Sequence, residues 1–540
     1  MTRISRSLPD RKSGRRGLYP GCEDTMINGK KVVGIITEYN PFHAGHQYMI
    51  EQIRVEYHAD YVVAAMSGDF VQRGEPAIFD KYERARDALL HGVDLVVQIP
   101  VMFSTSSAED FAAGGVAVLR SLGFVDQLVF GSESADLAKL QQMAALELST
   151  GSTAHANFNA VVRDGVASGM SYPKARAEAM RLVLSGDDEE AFEMMLDDIS
   201  ASKRWRKVAS QAANTSAPMA TSTPSAALPD SEDNAGNVEE SNPRERFELQ
   251  SNDVLGLEYI KAVKRQGDCF EVACIRRKLS LPSAHSIRDA ILQNELSCVG
   301  AKEESVPERV FSQEVEEGSR ATTAELSASP LRGIRGAAHQ GYATLDMLSD
   351  MLSYRLLQLV YLDSAAPEEH SVLCDYLDVS REIADALRKQ VRERMSFRER
   401  IAAVKSRNYT YSRISRALLH ILLDLQRKDH AALRGAYFGE AEMMPYVRVL
   451  GVRKEAKELL SAIATTAVTS PARYQRTLDA RRRQTIESPE DLLMSIRAGH
   501  AELMFRSDLY AADLYQLIYH PYNSETRPEN EFTRRFMVID

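Results

Sequence analysis

From Lys31 to Gly131 the chain alternates short apolar runs with segments of helical period, and that alternation leaves few architectures open. Lys31–Thr37, Tyr61–Met66, Asp94–Ile99 and Gln127–Phe130 read as strands, rich in Val and Ile. Between them His43–His58, Asp80–His91 and Ser106–Leu122 read as helices. Such a succession predicts a parallel sheet with helices on both faces. Phe270–Ile275 reads as a further strand and Ser283–Leu296 as a further helix. From about Ala343 onward nearly every segment has helical period and few strand signals remain. The expected fold is α/β: a Rossmann-like domain with a parallel sheet, followed by an all-helical C-terminal domain.

At 540 residues the chain is too long for a single core. The expected organisation is a disordered tail over 1–30, an α/β domain over 31–298, an acidic insertion and linker over 299–342, and a helical domain over 343–540. Within the first domain, residues 209–248 are rich in Ser, Ala, Thr, Pro and Asn and read as a disordered insertion. The basic first 30 residues hold no apolar stretch of the secretory kind, and Met26 stands just before the first strand as an alternative start. The 5 cysteines are scattered and form no CxxC pair, which argues against a disulfide framework and against structural zinc. No apolar run is long enough to span a bilayer. A cytoplasmic address, no membrane and no obligate protein partner are expected.

Net charge is −10, so the chain is not a generally basic nucleic-acid binder. The charge is uneven. Residues 381–430 hold 13 Lys/Arg against 6 Asp/Glu, a local +7, and a basic face of this kind can hold phosphates under a negative total.

The chemistry concentrates at His43-Ala-Gly-His46, after the first strand and at the start of the first helix. Ligands of open parallel sheets bind at the carboxyl ends of the strands, and a helix N-terminus suits phosphate. Gly45 permits close backbone approach. Two histidines one turn apart can donate to phosphate oxygens as charge builds up at phosphorus. Taken alone, the same residues read equally well as a helix cap and a surface residue. No third ligand stands near to complete a metal site, and none is expected.

Here HxGH resembles the nucleotidyltransferase superfamily that shares its fold with class I aminoacyl-tRNA synthetases. The longer string Gly34-Ile-Ile-Thr-Glu-Tyr-Asn-Pro-Phe-His-Ala-Gly-His46 resembles the opening of the tRNA(Met) cytidine acetate ligase family. Met66-Ser-Gly-Asp-Phe-Val-Gln-Arg-Gly-Glu-Pro-Ala77 is similar to that family's second signature. Asp80-Lys-Tyr-Glu-Arg84, Gly92-Val-Asp-Leu95, Phe130-Gly-Ser-Glu133, Gly169-Met-Ser-Tyr-Pro-Lys-Ala175, Asn252-Asp-Val-Leu-Gly-Leu-Glu-Tyr259 and Lys405-Ser-Arg-Asn-Tyr-Thr-Tyr-Ser-Arg413 follow in the family's order. The resemblance covers about residues 31–185, 250–297 and 345–540.

The resemblance implies an ATP-dependent ligase. Acetate would be activated as acetyl-adenylate, and the acetyl group passed to N4 of the wobble cytidine of elongator tRNA(Met). Mg2+ would accompany the triphosphate. The implied ATP site is Ile36, Thr37, Glu38, Tyr39, Asn40, Pro41, Phe42, His43, Ala44, Gly45, His46, Gln47, Tyr48 and Met49, with Gly131, Asn252 and Arg277; His43 and His46 are the catalytic pair. Gly131 reads also as a turn glycine, Asn252 as a helix cap and Arg277 as one of a solvated basic cluster. Ser283 and Arg288 resemble the superfamily's leaving-phosphate signature, and Ser283 is also a good helix cap. Only five residues separate Arg277 from Ser283, fewer than the family pattern, and a Tyr-His-Asp string expected there is missing.

Lys405, Arg407, Arg413 and Arg416 interleave with Tyr409 and Tyr411 and are candidate tRNA contacts; Arg413 and Arg416 are spaced to share a helix face. Gln72 and Arg73, on the loop after the second strand, read either as substrate contacts or as loop-ordering residues. The competing reading is a small-molecule adenylyl- or cytidylyltransferase, which leaves the helical region unexplained. A third is an RNA-binding protein with a decayed site, against which the intact HxGH argues.

Overall fold

The computed structural model describes residues 27, 29–149, 153–167, 175–176, 178–179, 250–300, 342–363, 371–406, 409–440, 442–483, 488–519 and 530–540. The segment 209–248, nearly all of the 1–30 tail and of 299–342, and Arg407 lie outside them. The chain falls into two compact units, one formed by Met1–Ala135 with Glu258–Asp540 and the other by Asp136–Leu257.

The first unit is built on an eight-stranded sheet. In chain order its strands are β1 (Val32–Thr37), β2 (Tyr61–Ser67), β5 (Leu95–Ile99), β6 (Gln127–Ser132), β7 (Glu271–Arg276), β8 (Tyr446–Arg453), β9 (Thr466–Val468) and β10 (Met537–Ile539); a separate hairpin pairs β3 (Phe70–Val71) with β4 (Glu75–Pro76). The spatial order is β10-β8-β5-β2-β1-β6-β7, with β9 beside β8. β1 pairs in parallel with β2 and with β6, β2 with β5, and β6 with β7. β2 and β5 are buried along their whole length, as expected for strands covered on both faces. The expected parallel sheet and its helices are present.

Chain order reverses at β1: β2 and β5 lie on one side, β6 and β7 on the other. That reversal opens a crevice at the carboxyl ends of β1 and β6, where ligands of such sheets bind. Close packing fixes this edge. A Cβ on Gly115, in the helix Ala108–Arg120, would meet the Ile36 side chain at 2.8 Å, so the helix lies directly on β1.

The C-terminal part holds the expected helices, among them Ser349–Asp363, Phe397–Val404, Tyr411–Leu422 and Pro489–Tyr519. The expectation that it is helical throughout needs correcting, because it also supplies β8, β9 and β10. Strand β8 pairs antiparallel with β5 and is buried over seven of its eight residues. Val447, Val449 and Val452 favour a strand, but the pairing partner lies some 350 residues earlier in the chain and leaves no local trace. Among the described residues no helix is long and apolar enough to cross a membrane.

Candidate active site

The loop from Thr37 to Ala44 leaves β1 and starts the helix Ala44–Glu56. His43 is its N-cap. The Gly45 N–H donates to His43 Nδ1 at 3.0 Å, and the His43 N–H donates to His46 Nδ1 at 3.3 Å. The two imidazoles thus form a reciprocal capping box and stack with ring centroids 3.8 Å apart. The cap reading of these residues is what the geometry shows. Gly45 has a further reason to be glycine: a Cβ there would meet the His43 ring at 2.8 Å. Its N–H donates to His43 and is not free for a ligand.

The protonation states follow from burial. His43 is 6% exposed, and burial, with the positive Arg277 and Arg288 adding to it, pushes its pKa down to about 4. His46 is held well below its ordinary value by burial first, then by His43 and Arg277. Both rings are neutral at pH 7. Since each Nδ1 accepts from a backbone N–H, the single ring hydrogen sits on Nε2, and each histidine offers one Nε2–H donor.

This arrangement predicts a pH effect on stability. An unfolded histidine takes up its proton near 6.5, whereas folded His43 resists until about 4. The unfolded state therefore binds more protons in that window. The contribution is fully present above 6.5 and is lost as pH falls towards 4, at up to about 1.4 kcal/mol per pH unit. Urea midpoints at pH 7 and pH 5 should show the loss, and His43→Asn should flatten it; an unchanged pH dependence in that variant would refute the assignment.

Aromatic packing fixes the rest of the loop. Tyr39 stands edge-on to Phe42 and His46, at 5.0 and 4.8 Å, and Phe42 stacks on His91 at 4.9 Å. Tyr39 takes a left-handed backbone with φ 47. Asn40 is buried, and its side-chain oxygen accepts the Ile78 N–H at 2.8 Å. Ile36, Pro41 and Phe42 are buried, so they shape the loop from behind. Thr37, Ala44, Tyr48 and Met49 are half-buried, and Gln47 is exposed and bonded to Glu51. Lys278 lies 5.8 Å over the Tyr48 ring.

The structure brings Gly131 and Arg277 to this loop. A Cβ on Gly131 would lie at ordinary contact distance, 3.5 Å from the Arg277 side chain and 3.9 Å from Met49, so β6, Arg277 and the first helix meet here. Arg277 Nη1 donates to Glu133 at 2.9 Å. Arg288 Nη1 donates to the Asn40 carbonyl at 2.6 Å, and its Nη2 lies 3.7 Å from Glu75. Both guanidinium groups are felt by His43. Ser283 is exposed, and its hydroxyl caps the helix Ala284–Gly300 by accepting the Ser286 N–H at 3.2 Å. Asn252 lies within the first turn of Ser251–Arg265, in the second compact unit.

Of two further residues here, Glu38 was read from the sequence as part of the ATP loop and Arg84 was not singled out. Glu38, named only as part of the loop, accepts the Gln72 N–H at 2.8 Å, and burial raises its pKa. Arg84 is fully buried and donates to the carbonyls of Phe79 at 2.9 Å, Glu38 at 2.5 Å, Ser67 at 3.3 Å and Gly68. It ties the end of β1 to the end of β2. Its place in the string Asp80–Arg84 was the only sequence signal.

The sequence profile of the HIGH Nucleotidyl Transferase family matches residues 30–530. The chain belongs to this family. Among its relatives, the tRNA(Met) cytidine acetate ligase of Thermoanaerobacter sp. (strain X514) is 28% identical over 502 residues, covering 90% of this chain and 95% of the relative. That of Caldanaerobacter subterraneus subsp. tengcongensis is 29% identical over 503 residues, covering 91% and 96%. Among solved structures, Thermotoga maritima TmcAL bound with α-thio ATP superposes with a TM-score of 0.63 at 24% identity, over 94% of this chain and 99% of that one, which establishes the shared fold. The matched range includes the loop that holds His43 and His46.

Of the basic candidates further along, Lys405 and Arg413 are exposed, and the Arg413 guanidinium lies 4.8 Å over the Tyr409 ring. Arg416 differs: it is 8% exposed and donates to Asp378 at 3.0 Å. The two do not share a solvated face. Arg448 is also buried, between Tyr82 and Glu531.

Proposed function

We propose that this chain activates acetate with ATP and transfers the acetyl group to N4 of the wobble cytidine of elongator tRNA(Met), giving N4-acetylcytidine. The observation that carries this reading is the stacked, neutral His43–His46 pair at the chain-reversal crevice, in a family member matching acetate ligases over nine tenths of its length. The neighbour bound with α-thio ATP supports ATP as the nucleotide. An acetate oxygen attacks the α-phosphorus, the bond to the β-phosphate oxygen breaks, and pyrophosphate leaves. The two Nε2–H groups donate to oxygens whose charge grows as that happens. Arg277 and Arg288 offset charge on the phosphates. Mg2+ in this reading travels with the triphosphate as part of the substrate. Among the described residues no cluster of His, Cys, Asp and Glu is placed to hold a metal. The cytoplasm is the compartment where these substrates meet.

For the tRNA we assign the exposed Lys405 and Arg413, with Arg407 beside them in sequence, and Tyr409 and Tyr411 for stacking on bases. Arg416 supports the helix through Asp378. The deciding experiment measures acetate-dependent exchange of pyrophosphate into ATP and acetyl transfer to tRNA on one preparation. Both should occur. Exchange that ignores acetate but requires a phosphorylated metabolite would establish the small-molecule transferase instead. Replacing Lys405, Arg407 and Arg413 together with Ala should leave exchange near the original rate and abolish transfer, with tRNA binding weaker and less salt-dependent. Transfer that survives would place the tRNA elsewhere.

A further inference from the structure

The hairpin β3–β4 spans the distance between the nucleotide loop and the basic helix. On one side the Gln72 N–H donates to Glu38 at 2.8 Å. On the other, the Ser415 hydroxyl donates to the Gly74 carbonyl at 2.7 Å. Gly74 has φ 79, and a Cβ there would meet the Arg416 backbone nitrogen at 2.4 Å, so the hairpin tip is seated on the helix Tyr411–Leu422. Glu75 follows the seated tip, at the start of β4. Its Oε1 is buried and accepts no hydrogen bond, while Arg288 stands 3.7 Å away. The exposed Tyr411 ring lies near enough to feel the Glu75 charge. A buried carboxylate oxygen left without a donor is costly, and this side chain keeps 26% of its surface exposed, so a ligand's donor can reach the carboxylate.

We propose that Glu75 receives the exocyclic amine of the attacking cytosine. This rests on the acetyl-transfer reading above and deepens it. A carboxylate is the natural acceptor for cytosine N4–H and a poor partner for the O4 of uracil. Glu75 shares Arg288 with the nucleotide loop and faces the helix that carries Arg413. In the transfer step the amine nitrogen attacks the acetyl carbonyl carbon. The bond from that carbon to the adenylate oxygen breaks, AMP departs with the electron pair, and the nitrogen sheds one proton to the Glu75 carboxylate.

The test compares the full chain with Glu75→Gln and Glu75→Asp. It reads acetate-dependent pyrophosphate exchange, acetyl transfer to an anticodon stem-loop RNA, and binding of that RNA carrying cytidine or uridine at the acceptor position. Glu75→Gln should lower transfer about 10²-fold more than it lowers exchange. It should also erase a preference for cytidine of roughly tenfold, since an amide can donate to uracil O4. Glu75→Asp should recover part of both. If transfer and exchange fall together, or the cytidine preference survives in Glu75→Gln, the residue merely supports Arg288 and the proposal is overturned. Absence of acetate-dependent exchange or of RNA acetylation in the unaltered chain would instead sink the function proposed above, and this inference with it.

Discussion

Replacing His46 with alanine is expected to lower acetate-dependent exchange by about 10²-fold or more, with a much smaller change in ATP affinity. The reason lies in the neutral ring. A charged imidazolium would grip the ground-state triphosphate and the transition state alike. A neutral Nε2–H gains most when charge develops on the oxygens it faces, and only such differential binding raises the rate. His46 has a second role, since its Nδ1 accepts the His43 N–H, and alanine removes that bond as well. The cost to the helix start is on the order of 1 kcal/mol. His46→Gln separates the two roles. Its side-chain oxygen can restore the capping box, so stability should recover while the rate does not. Losses of equal size in ATP binding and in rate would make His46 a ground-state contact.

Replacing Arg84 with methionine should have the larger effect on the fold, on the order of 3 kcal/mol or more, because several buried carbonyls lose a charged donor together. Those carbonyls belong to Phe79, Glu38, Ser67 and Gly68, so the strand ends that frame the crevice come apart first. Urea unfolding reads the loss directly. Arg84→Lys should recover little of it, since one ammonium cannot reach acceptors spread across two loops. A variant that folds at low temperature should show a raised KM for ATP as Glu38 and the hairpin shift. A midpoint shift worth less than about 1 kcal/mol would mean water or the backbone replaces the guanidinium at no cost.

How far the sequence speaks depends on the range of the interactions involved. The strands through Gln127 and the helix Lys81–Leu90 were legible because local period and burial agree there. The crevice was legible too: His43-Ala-Gly-His46 follows the first strand, and Gly131 lies one residue before the end of the strand on the other side of it. Arg416 was misleading. Its spacing from Arg413 suggested one basic face, yet the pairing that decides its environment is with Asp378, across a turn that no periodicity encodes. Arg84 was silent for a related reason, as all four of its acceptors are backbone carbonyls, which carry no residue identity. Ser283 was read in both ways, and its geometry is that of a cap.

Strand β8 has a consequence for the chain as it is made. It covers the side of β5 that β2 leaves open, and it comes from residues 446–453. Until a ribosome has released that stretch, the run Leu95-Val-Val-Gln-Ile99 is an unsatisfied apolar edge, the kind that recruits foreign strands. The buried Lys81 waits still longer, for Glu531 near the end of the chain, 3.0 Å away in the finished fold. Synthesis therefore passes through a long interval in which the histidine loop exists but its scaffold is incomplete. A fragment cut after residue 298 would freeze the chain in that interval, with a sticky β5 in place of a soluble nucleotide-binding module.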